Sequence, residues 1–217
     1  QYKRSKGQQP LCIDTDPVNA TFHGFKALNV RLLEIMQGDE IQTRNFDTLV
    51  ELIAPSKDDV IIDNGASSFV PLTHYLISNQ VPALLQDMGH EMVVHTVITG
   101  SQALLDTVSG FAQLASQFPA EALFVVWLNP FWGSIEHEGK GFEQMKAYTA
   151  NKARVSAIVK IPALKEDTYG RDLSDMLQER LTFDEALAMD SLTIMTRQRL
   201  KIVKGQLFSQ LDSAAVL

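Results

Sequence analysis

Short apolar runs that do not alternate with polar residues are what most constrains this chain. "LCID", "VIID", "LFVVWLN" and "SAIVKI" are each the length of one strand and rich in Val, Ile and Leu. A strand with one wet face alternates. A strand covered on both faces reads as a continuous apolar run, as in the parallel sheets of α/β proteins. On this basis strands are predicted at Leu11–Asp14, Leu32–Met36, Val60–Asp63, Met92–Thr99, Leu123–Asn129 and Ser156–Ile161. Helices are predicted between and after them, at Phe46–Ala54, Leu72–Asp87, Ser101–Phe118, Gly141–Ala153, Ser174–Met189 and about Leu192–Ala215. In the Ser101 segment, for example, Leu104, Leu105, Val108, Phe111, Ala112 and Ala115 recur at helical spacing and Pro119 follows the end. Strand–helix alternation of this kind implies an α/β fold: a doubly wound, mainly parallel sheet flanked by helices. At 217 residues the expectation is one domain spanning 1–217, long enough to bury roughly 70% of its unfolded surface.

The opening "QYKRSKG" reads as the tail of a helix, with basic residues near its C-terminus and Gly7 as its stop. The net charge of −7 argues against a body that coats nucleic acid or an anionic membrane. Cys12 is the one cysteine and sits in an apolar run, so it reads as a small buried hydrophobe. Without a disulfide framework the composition suits the cytoplasm.

In doubly wound sheets, ligands bind beyond the carboxyl ends of the strands. The first predicted strand ends in Asp14 and Asp16, and the third in Asp63 followed by Asn64-Gly65. Asp63 alone reads as a cap for the following turn or as the partner of a lysine. Three carboxylates at neighbouring strand ends suit a hydrated Mg2+, which takes oxygen ligands and keeps much of its water. Asn129 closes the fifth strand; its amide could read the edge of a purine, or simply start a turn before Pro130. Pro162, with Ala163, could give a base a flat apolar bed.

Other patterns carry less. "GSIEHEGKG" mimics a phosphate loop, but it has five residues between its glycines instead of four and a glycine where Ser or Thr should stand, so it reads as a loop entering a helix. "GHEMVVH" spaces two histidines five apart on a predicted strand, which sends them to opposite faces. The last helix carries Arg197, Arg199, Lys201 and Lys204 beside an apolar stripe, and reads as a terminal helix docked on the sheet with a solvated basic face.

Taken in order, "CIDTDPVNATF", "DVIIDNGAS", "VVWLNP" and "IPAL" resemble the deviant-Walker ATPase family of MinD and ParA proteins, and within it the TraL-type proteins of plasmid conjugal transfer. The resemblance covers the whole chain. It implies a phosphate-loop NTPase-like fold and a Mg2+-dependent ATPase that acts as a nucleotide-sandwich homodimer with a partner in the conjugation apparatus. By position, Asp14 and Asp63 would hold the Mg2+ water shell, Asp16 would orient the attacking water, and Asn129 would contact the purine. The family's Gly- and Lys-rich phosphate loop is not among these residues, so the resemblance puts roughly 25 residues, with that loop and a central strand, ahead of Gln1. Without them the expectation is no turnover and unpaired backbone groups along the sheet.

Overall fold

The computed structural model describes residues 1–214. The chain forms two compact units, one of residues 1–89 and 174–192, the other of residues 90–173 and from 193 onward.

The first unit holds a three-stranded parallel sheet in the order Arg31–Leu32, Leu11–Asp14, Val60–Asp63. Its central strand is covered: Cys12 is buried and Ile13 fully so, beside a core of Ile35, Phe46 and Leu49. The outer strand Val60–Asp63 leaves Ile61 partly exposed. The helix Tyr2–Ser5 ends as the sequence predicts. Gly7 takes φ +82°, its N–H donates to Arg4 O, and the Gln8 N–H donates to Lys3 O. This pair of bonds closes a helix through a left-handed residue, where a side chain would be strained. Arg4 then donates to the carbonyls of Ala27 and Leu28, fixing the helix to the loop that follows the first strand.

The second unit holds another three-stranded parallel sheet, in the order Val155–Lys160, Leu123–Asn129, Val93–Thr99. Phe124, Val125 and Val126 in its central strand are fully buried. Phe124 faces helix Leu104–Gln117, with its ring edge-to-face on Phe111 and Phe118 at 6.3 Å each. Val125 and Val159 pack against Leu211 and Ala214 at the end of helix Ile194–Asp212. Arg154 closes the other helix: its guanidinium donates to the carbonyls of Ala115, Phe118, Pro119 and Ala122 while lying over the Phe124 ring. Helix Ile194–Asp212 is docked as its pattern predicts, with Leu200 and Val203 buried and Arg199 donating to Asp172 at 2.5 Å. The predicted end of that helix at Ala215 lies outside the described residues.

Several segments differ from their sequence pattern. One doubly wound sheet was the expectation, whereas the described parallel strands pair as two sheets of three. The predicted strand Leu32–Met36 ends at Leu32, and Met36–Gln37 instead pairs with Glu40–Ile41 in a small hairpin. The predicted helix Leu72–Asp87 is two helices, Ala66–Ser78 and Val81–Asp87, broken where Gln80 enters the left-handed region. The predicted helix Ser174–Met189 is likewise Arg171–Gln178 and Phe183–Ala188, broken at left-handed Arg180 and restarted by a Thr182–Glu185 capping box. "GSIEHEGKG" is a β-hairpin, Glu136–His137 against Lys140–Gly141, turned through Glu138 and Gly139 at positive φ.

Candidate functional site

Parallel pairing sets Asp14 directly beside Asp63 in register, so the two strands of the first unit finish side by side. Thr15, fully buried, locks them there: its N–H donates to Asp63 O at 2.8 Å and its hydroxyl to the same carbonyl at 3.1 Å. The three acidic side chains at this tip have different environments.

Asp14 is fully buried, yet both its oxygens are satisfied by backbone. Oδ1 accepts the Asp16 N–H at 2.9 Å and Oδ2 accepts the His23 N–H at 2.8 Å. The carboxylate thereby folds the chain from Asp16 to His23 back over the strand end. His23 continues the network: its Nδ1 lies 2.8 Å from Val30 O, and because a carbonyl only accepts, Nδ1 carries a proton. Asp16 is turned by its own loop. Oδ1 accepts the Val18 N–H at 3.0 Å and Oδ2 accepts the Asn19 amide at 3.2 Å. The backbone bond from Val18, aided by Asn19, holds its carboxyl below the usual carboxylate range.

Asp63 is the opposite case. Its exposed side chain enters no hydrogen bond or ion pair among the described residues. Burial of the surrounding strand end pushes its carboxyl up, and the charges of Asp14 and Asp16 push it further. The charges of Asp14 and Asp16 thus reach Asp63, and neither Lys nor Arg pairs with any of the three carboxylates among the described residues. Among those residues no group of three or more His, Cys, Asp or Glu side chains is placed to hold a metal ion.

Asn129 and Pro162 belong to the second unit. Asn129 pairs in register with Thr99, and its Oδ1 accepts the Phe131 N–H at 3.1 Å, capping the turn Pro130–Trp132. Half of the amide is thus spent on the turn. Pro162 is half-buried and lines an open groove of about 610 Å3 with Lys160, Lys201 and Gly205. Beyond the strand ends Thr99 and Asn129 lies a second groove of about 450 Å3, lined by Ser101, Leu105, Trp132 and Glu136. Asn129 and Pro162 do not share either groove.

Sequence reasoning found the carboxylates by their place after apolar runs. It missed Thr15, Asn19 and His23, which hold them. The Asp-Pro pair at Asp16 was the available signal for its bond to the Val18 N–H, since an Asp side chain commonly bonds the backbone two residues on.

Two Escherichia coli proteins, each called Protein TraL, are 84% and 81% identical to this chain over all 217 residues, which span 90% of each relative. No family profile and no solved structure matches the chain. At that identity along its whole length, the chain belongs to the TraL protein family.

Proposed function

We propose that this protein is a Mg2+-dependent, ATP-binding protein and ATPase of the MinD/ParA type that acts in plasmid conjugal transfer. The observation that carries the reading is Asp63: an exposed carboxylate at a parallel strand end, unpaired among the described residues and in register beside buried Asp14. A hydrated divalent cation is the chemistry that offsets this accumulated negative charge. Asp63, with its free oxygens, would hold the metal's waters, and Asp14 would add charge from behind while keeping the loop in shape. Bound there, Mg2+ would neutralise phosphate charge during transfer. Asp16 is held ionised by Val18 and Asn19, so it is a weak base and acts by orienting a water molecule.

The test is ATP binding and phosphate release by the protein extended to the full length of its TraL relatives. Binding should require Mg2+, and hydrolysis should fall by about 100-fold or more in Asp16→Ala, the scale of lost positioning of the attacking water. Full activity in Asp16→Ala, or no nucleotide binding with Mg2+, would overturn the reading.

A second reading is favoured by the aromatic pair after Asn129. Phe131 and Trp132 meet edge-to-face at 4.7 Å, yet are 72% and 67% exposed. Large exposed aromatics in contact suit an interaction surface. On this reading ATP switches a homodimer and the output is recruitment of a conjugation-apparatus protein, with negligible hydrolysis. Light scattering with and without Mg·ATP separates the two, because this reading requires a change of assembly without phosphate release.

A further inference from the structure

Gly65 and Gly141 adopt the same backbone conformation at the same kind of place. Each precedes a helical turn, with φ −75° and ψ 166° for Gly65 and φ −72° and ψ 167° for Gly141. Any residue can adopt these angles, so neither position needs glycine for its backbone. Their surroundings differ. A Cβ on Gly141 would meet nothing within 4 Å, whereas one on Gly65 would lie 2.6 Å from Asp16 Oδ2 and closer still to its Cγ. The Asp16 carboxylate thus sits in the space that a side chain at residue 65 would fill, with Val18 and Asn19 donating to it.

We infer that Gly65 is a positioning residue for Asp16: the bare Cα of Gly65, on the strand that ends at Asp63, is the wall that aims the carboxylate on the neighbouring loop. Two adjacent strand ends are coupled in this way, for Gly65 stands only two residues beyond Asp63. Its carbonyl is also tied down, accepting the Ser68 hydroxyl at 3.2 Å and the Phe69 N–H at 3.1 Å, so the wall belongs to the start of helix Ala66–Ser78 and cannot shift alone. A methyl group at 65 must push the carboxylate out of its turn, because the backbone behind it is held. That this placement serves a reaction rests on the ATPase reading; the contact itself does not.

The test is Gly65→Ala against Gly141→Ala in this chain, read by NMR titration of the Asp16 carboxyl. Gly65→Ala should move the Asp16 titration up toward an ordinary aspartate as the Val18 and Asn19 bonds are lost, and Gly141→Ala should leave it in place. Thermal unfolding adds a double-mutant cycle. Gly65→Ala should lower Tm in the parent and not in an Asp16→Ala background, where the obstructing carboxylate is gone. In the full-length protein Gly65→Ala should lower kcat at least about tenfold with KM for Mg·ATP unchanged, the split expected when only transition-state positioning is lost. An unmoved Asp16 titration, or an equal Tm loss in both backgrounds, would overturn the inference. Absent hydrolysis by the parent full-length protein would instead overturn the ATPase reading, with the titration and the cycle still deciding whether Gly65 positions Asp16.

Discussion

The two parallel sheets are built alike and finish differently. Each has three strands with a buried middle one. In the second unit the strands are held from below, by Phe124 among Phe111 and Phe118 and by Arg154 capping the helix that covers them. Beyond their ends the chain is open, with Asn129 making one capping bond and Phe131 and Trp132 facing solvent. In the first unit the strand ends themselves are tied. Asp14, Thr15 and Asp16 make six hydrogen bonds there, to Asp16, His23, Asp63 (two), Val18 and Asn19. These bonds keep Asp14 and Asp16 beside the end of the Asp63 strand, where their charges push the Asp63 carboxyl up.

That contrast can be broken by mutation, starting with the largest effect. Phe124→Ala removes the ring at the centre of the second unit's aromatic cluster and should cost about 3–5 kcal/mol in denaturant unfolding. If the two units are secured as described, it should leave the Asp63 titration unmoved. Asp14→Ala leaves the Asp16 and His23 N–H groups without their acceptor in a buried place and should cost about 2–4 kcal/mol. A loss no larger than that of a surface substitution would mean that Asp14 does not organise the loop.

Asp63→Asn sharpens the comparison because its sign is reversed. A carboxyl raised in the folded state binds more protons folded than unfolded between 3.8 and its raised value, so stability falls as pH rises through that window. Asp16 acts oppositely: its lowered carboxyl contributes stability above 3.8 that is lost as pH falls toward its folded value. Asp63→Asn should therefore be neutral in acid and stabilising at pH 7, by less than about 1 kcal/mol given solvent screening of an exposed group. Thermal unfolding at both pH values checks it. The smallest effect belongs to Trp132→Ser, within about 0.5 kcal/mol of the parent in unfolding, since the indole is exposed. A larger loss would mean that the aromatic pair is structural.

The parallel strands were legible because burial on both faces leaves a strand no position for a polar residue, and the apolar run records that directly. The order of strands within each sheet was not, since pairing joins residues far apart in sequence and leaves no local trace. Helix breaks at Gln80 and Arg180 were hidden for a related reason: neither is glycine, and only the packed structure holds such residues at positive φ. At the site, Asp14, Asp16 and Asp63 could be read as acids after strands. Their grouping by Thr15 could not, nor could the contact between Gly65 and Asp16, because a missing side chain carries no signal of what fills its space.

We propose that the Asp14–Asp16–Asp63 tip holds a cation. Its most direct test is the titration of the Asp63 carboxyl by NMR with and without Mg2+. The account predicts an Asp63 titration above the ordinary aspartate range that moves down when Mg2+ is added. An Asp63 that titrates as an ordinary aspartate and ignores Mg2+ would contradict it.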